Sequence, residues 1–187
     1  ERLAYMNLET GALSGNVIGT ISEISDDLIT AMRAKYSVAD GFNTQIHTHG
    51  NSTDPYFSDQ DYNQFVADWN AGIKKQVLLT KDNIAVLDLT AVESAEKVGS
   101  FMQELIKAGN NAEAVANALK TVNVGAVYES RRFSELNANS LVKMLGIKGI
   151  ESKYTAEETR DMAHQGISDV DEKEAASMVQ ESTGRSF

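Results

Sequence analysis

Two histidines separated by one residue, His47 and His49, are followed by an aspartate at Asp61. Phe42, Thr44, Ile46 and Thr48 alternate with Asn43, Gln45, His47 and His49, the period of a β-strand. Both imidazoles would then project from one face, about 7 Å apart along it, where they can grip one ion. The chain loops and re-enters order at Ser58-x-x-Asp61, which has the form of a helix start and returns a carboxylate on a rigid element. Two imidazole nitrogens and one carboxylate oxygen make up the three-ligand set of a catalytic zinc site, whose fourth tetrahedral position is left for water. Zinc brings the pKa of such a water to about 7, and an acidic side chain that is not a ligand could carry the proton to a leaving amine.

His47-x-His49 followed by Ser58-x-x-Asp61 resembles the motif of the JAMM (MPN, or JAB) zinc metalloproteases. The resemblance implies His47, His49 and Asp61 as zinc ligands and Ser58 as the residue that helps hold the oxyanion. It also implies an upstream glutamate as general base, and Glu9-Thr10-Gly11-Ala12-Leu13-Ser14-Gly15 is similar to the segment that carries it, which points to Glu9. Gly50 stands where most members have proline. The His-Thr-His-Gly form is more similar to a bacterial branch associated with secreted toxins and phage proteins. The likeness covers roughly residues 3 to 90. It implies an α/β fold, an MPN-like α/β/α sandwich of the cytidine-deaminase type, and protein or peptide substrates, ubiquitin-like tails among them.

Each residue also has a plainer reading. A lone His-x-His on a strand is commonly surface without metal, and Ser58-x-x-Asp61 is above all a capping motif, with Phe57 and Tyr62 at the positions of a hydrophobic staple. Capping and chemistry are compatible at Ser58, since the cap fixes the helix that presents Asp61 and the helix's positive end keeps that carboxylate ionised. Glu23 is the rival of Glu9 for the base. His164, on a segment rich in Glu and Arg, reads as a surface residue, with a second metal ligand as the alternative. Arg131 and Arg132, between Glu129 and Glu135, read as partners in helix-surface ion pairs.

With 187 residues, 42% hydrophobic and 24% charged, the chain is expected to be soluble and to bury a sizeable core. No apolar run nears the roughly 20 residues that span a bilayer. It holds no cysteine, so a metal must sit on His and carboxylate oxygens. A net charge of −10 argues against a nucleic-acid surface, whose affinity comes from Lys and Arg on phosphates. The first residue, Glu1, is not Met, which is expected of a trimmed chain or a domain released from a longer polypeptide. Cytoplasm and delivery as a secreted effector both stay open.

The elements that must position the site follow from periodicity. Residues 3 to 21 suit two short strands around a turn at Ser14 to Asn16, with Glu9 on the first. A helix is predicted from about Ser25 to Tyr36, and Ala39 to Gly41 then turns the chain into the histidine strand. After Ser58, the residues Tyr62, Phe65, Val66 and Trp69 form one apolar helical face that reads as core. Gln76 to Thr80 and Ile84 to Leu89 read as a hairpin. Helices are predicted from about Ala91 to Lys107, Ala112 to Thr121, Phe133 to Leu145 and Thr155 to Gly166, with a short one around Glu172 to Gln180 in a fraying tail from Ile167. A metallopeptidase domain at residues 1–108 and a helical extension at 109–187 are expected. The rival to catalysis is an MPN-like scaffold that binds a partner.

Overall fold

A computed structural model describes residues 2–14, 17–18, 24–49, 52–122 and 124–148. The described residues form one mixed sheet of six strands: β1 (Arg2–Asn7), β2 (Val17–Ile18), β3 (Phe42–Thr48), β4 (Lys75–Leu79), β5 (Asn83–Asp88) and β6 (Val127–Arg132). Their order across the sheet is β2-β1-β3-β4-β5-β6. Only β3 and β4 are parallel; the other neighbours run antiparallel. That single parallel step needs a crossover, and α2 (Asp59–Asn70) provides it.

The pleat sends alternate side chains to two cores. Ala4, Met6, Ile46, Val77, Leu79, Ile84 and Val86 meet Phe133, Leu141 and Leu145, so α5 (Ala138–Leu145) covers one face. On the other face Leu78, Ala85 and Leu87 lie under α2, α3 (Ala95–Ala108) and α4 (Ala112–Val122). Leu3 and Tyr5 lie under α1 (Asp26–Lys35), whose Ala31 and Met32 are buried. Helices thus lie on both faces of the sheet. Lys75 ties the layers by donating from its buried Nζ to the Leu145 carbonyl at the end of α5. Among the described residues, no helix is long and apolar enough to cross a membrane.

Several predicted elements form within a residue or two. The helices begin where the sequence offers caps: Ser94 accepts the Lys97 N–H ahead of α3, and Ser58 does the same for Asp61 ahead of α2. Gly41, at φ 89°, makes the turn into β3, where an added Cβ would stand 2.7 Å from the Asn7 side chain.

The structure differs from expectation in the second half of the chain. The segment 127–132 is a strand, so Arg131 and Arg132 are edge-strand residues, and Arg131 Nε donates to Glu129 Oε1 at 3.2 Å across one pleat of that strand. Nor does packing divide at residue 108, because β6 completes the sheet and α4 and α5 fill the two cores. The predicted helix from Phe133 opens as a 3-10 turn at Phe133–Glu135 before α5. Glu23, His164 and the helices expected around 155–166 and 172–180 lie outside the described residues.

Candidate metal centre

β3 brings His47 to the sheet face covered by α2, opposite Leu3 of β1 and beside Leu78 of β4. His49 follows the strand's last residue and is kept in line by its backbone N–H, which donates to Leu79 O at 3.2 Å. The rings turn toward each other, so their Nε2 atoms stand 3.3 Å apart, less than half the spacing that the strand alone would leave.

Asp61 arrives by a different route. Ser58 and Asp61 form a reciprocal capping box: Ser58 Oγ accepts the Asp61 N–H at 3.1 Å, and Asp61 Oδ2 accepts the Ser58 N–H at 2.8 Å. Phe57 and Tyr62 pack together just before and inside the first turn, with ring centroids 5.9 Å apart, which fixes how the chain enters α2. The preceding loop is pinned as well. Thr53 O accepts from Asn83 Nδ2 at 2.9 Å, and Pro55 O accepts from Tyr128 OH at 3.2 Å. Loop and helix thereby hold Asp61 Oδ2 at 3.0 Å from His49 Nε2 and 3.3 Å from His47 Nε2.

The three atoms form a nearly equilateral triangle with edges of 3.0 to 3.3 Å. Three ligands of a tetrahedral zinc, at bond lengths of about 2.0–2.1 Å, would lie roughly 3.3 Å from one another. The three side chains could therefore hold a metal ion. His47 is 4% exposed, while the side chains of His49 and Asp61 keep 16% and 19% of their surface. The group is thus walled on the His47 side, where the Phe57 ring lies 5.7 Å from the imidazole, and open on the other. His47 Nδ1 is buried without a hydrogen-bond partner among the described residues, so none of them supplies the acceptor that usually orients a metal-ligating histidine.

Burial alone would raise the Asp61 carboxyl. The neighbouring His47 charge, hydrogen bonds from both imidazoles and the Ser58 N–H outweigh it and hold that carboxyl well below the ordinary range. Asp61 is thus kept in the charged form that binds a cation.

A cleft of about 330 Å³ opens beside the cluster, with α1 and α2 as walls and β3 as floor. Ser58 lines it next to His47 and Asp61. The Ser58 oxygen is an acceptor in the cap, so its own proton stays available to donate.

Glu9 is not brought to this group. Asn7 Oδ1 accepts the N–H groups of Glu9 and Thr10 at 2.9 and 3.3 Å, which ends β1 and places Glu9 in the following turn rather than on the strand. Because β1 runs antiparallel to β3, with Asn7 opposite Phe42 and Leu3 opposite His47, the turn after Asn7 lies at the other end of the sheet from the histidines. The Glu9 side chain is 67% exposed and pairs with Lys148 at 2.7 Å. Sequence reading also missed acidic groups that do face the cleft, Asp26 at the start of α1 and Asp68 in the third turn of α2. Asp68 had a signal, since it sits one heptad after Asp61 on the same helical face.

Comparison of the chain with protein-family models, with curated proteins and with solved structures returns no match.

Proposed function

We propose that this protein is a zinc-dependent peptidase of the JAMM type that hydrolyses an amide or isopeptide bond in a protein or peptide. The observation that carries the reading is the His47–His49–Asp61 triangle, sized for one tetrahedral ion and bordered by an open cleft. His47, His49 and Asp61 would hold zinc, which supplies Lewis acidity and an activated water. Ser58, exposed at the cleft wall with a hydroxyl proton to give, would steady negative charge developing on the carbonyl oxygen.

We look for the proton carrier in an acid other than Glu9, whose exposed side chain lies at the other end of the sheet. β1 meets β3 at the histidine end, where Leu3 pairs with His47 and the Arg2 N–H donates to Thr48 Oγ1 at 3.1 Å. The residue joined to Arg2 in the sequence is Glu1, which lies outside the described residues. We assign the base to Glu1 ahead of Asp26 and Glu23. Ubiquitin-like tails are the substrates that the JAMM resemblance brings with it, and a bacterial toxin domain is the setting that the His-Thr-His-Gly form brings.

A scaffold that holds metal without catalysis is the second reading, favoured by the Nδ1 of His47, which has no partner among the described residues. Metal content and peptide cleavage, measured on the wild type and on Asp61→Ala, test the proposal. The peptidase binds about one zinc and cuts a peptide only when loaded. Zinc binding with no cleavage across linked ubiquitin-like chains and a proteome lysate would favour the scaffold.

A further inference from the structure

The cleft runs well past the metal cluster. Asp61 and Asp68 are seven residues apart on α2, close to two full turns, so they share a face about 10 Å apart along the axis. Gln45 precedes His47 by two residues on the same face of β3, about 7 Å away. The far end, lined by Arg33, Gln45, Gln64 and Asp68, thus lies two to three extended residues from the cluster.

Arg33 is fixed there on two edges. Its Nε donates to the hydroxyl of the fully buried Tyr5 at 3.2 Å, and Nη2 donates to Asp68 Oδ1 at 2.5 Å. Asp68 also accepts from Gln45, Gln64 and Gln76, at 3.4, 3.3 and 2.9 Å, and its side chain is 1% exposed. That carboxylate is occupied by four donors and is out of a ligand's reach. Arg33 keeps 28% of its side-chain surface, and its Nη1 meets no acceptor among the described residues. A planar donor already held in place loses little freedom when an acceptor arrives.

Charge points to the same class of ligand. Arg33 is the one Lys or Arg among the described residues that line the cleft. Among the described residues that line the cleft, Arg33 and a bound dication together would balance Asp26, Asp61 and Asp68. Specificity would come from two N–H bonds to carboxylate oxygens, a geometry that an amide side chain reproduces poorly.

We propose that Arg33 selects a carboxylate two to three residues from the scissile amide, either an Asp or Glu side chain or a free chain end. The inference rests on the peptidase reading above.

The test uses zinc-loaded protein and calorimetry. One series of peptides ends in a hydroxamate with Glu, Gln or Lys two or three residues before it. A second series begins with the hydroxamate and ends two or three residues later in a free carboxyl or a carboxamide. Acetohydroxamate is the control ligand. The carboxylate form should bind about tenfold or more tightly than its amide in one of the series, and which series does so names the source. That preference should vanish in Arg33→Gln and in Arg33→Lys, with zinc content and acetohydroxamate affinity unchanged. Arg33→Lys keeps a cation against Asp68 and so protects the fold while removing the planar fork. Equal binding of carboxylate and amide, or a preference that survives Arg33→Lys, overturns the proposal. If acetohydroxamate binds and no peptide binds more tightly, the cleft is not a substrate site and this inference alone fails. If zinc or acetohydroxamate does not bind at all, the peptidase reading fails first and takes this inference with it.

Discussion

Asp61 Oδ2 lies 3.0 Å from His49 Nε2 and also accepts the Ser58 backbone N–H at 2.8 Å. One oxygen thus joins the candidate metal-binding cluster to the cap of α2. Zinc should bind with a stoichiometry of about one, and His47→Ala, His49→Ala or Asp61→Ala should each weaken it by more than about 100-fold, beyond what losing an orienting partner costs. Metal analysis after dialysis against zinc buffers measures this. At free zinc 100 times the dissociation constant, the wild type should gain about 2.7 kcal/mol over its chelated form in denaturant melts. A variant that retained full affinity without Asp61 would remove the carboxylate from the ligand set.

Ser58 carries two roles that substitution can separate. Ser58→Ala removes the cap and should cost about 1 kcal/mol of stability, whereas Ser58→Gly should cost only a few tenths, since glycine is tolerated at that position. If the hydroxyl also donates to the oxyanion, both variants should lose about 10²–10³ in kcat with zinc content intact. A Ser58→Gly protein with undiminished kcat would leave Ser58 as a cap alone.

Glu9→Gln should leave zinc binding and cleavage unchanged, because Glu9 sits exposed beyond the far end of β1 and bonds Lys148. Glu1→Gln should keep zinc and lower kcat by 10²-fold or more, the scale of lost acid–base assistance. Asp26→Asn and Glu23→Gln serve as comparators. Loss of cleavage confined to Asp26→Asn would move the base to α1.

The convergence of His47, His49 and Asp61 was legible because its signals are local. The strand alternation around His47 and the capping box at Ser58 each specify geometry within a few residues, and the loop between them has a single proline to turn it. Glu9 misled because its segment was matched by spelling, while its position depends on where β1 ends, and that is decided by the Asn7 side chain closing a turn on Glu9 and Thr10. β6 escaped for a different reason. Val127 to Arg132 is an edge strand with Val127, Ser130, Arg131 and Arg132 toward solvent, so no hydrophobic alternation marks it, and pairing with β5 supplies what its own sequence does not. Its pairing with β5 also crosses the boundary expected at residue 108.

Acid should loosen the metal-free protein through Asp61. Its folded carboxyl is held below the unfolded value of about 3.9, so its contribution to stability is present above that value and drains away as pH falls through it toward the folded pKa. The stability difference between wild type and Asp61→Asn, measured by denaturant melts in chelator, should shrink as pH falls below about pH 4. A difference that grew on acidification would mean that the carboxyl is raised by burial and the surrounding donors do not compensate.

Asp68 supports the same site from beneath. Its carboxylate joins α2 to Arg33 of α1, to Gln45 of β3 and to Gln76 of β4, so three elements that carry the cleft share one buried anion. Asp68→Ala removes the acceptor from all of them and leaves the partly buried Arg33 charge without its counterion. The expected cost is about 3–5 kcal/mol, a large fraction of the stability of an ordinary domain. Asp68→Asn keeps the shape and one acceptor oxygen, and should cost less. Gln45 shares the β3 face with His47, so the alanine variant should also lose zinc affinity, even though Asp68 touches no ligand. Denaturant melts and zinc titration of both variants check the pair. If Asp68→Ala weakened zinc no more than Asp68→Asn did, the network would hold up the fold without tuning the metal centre.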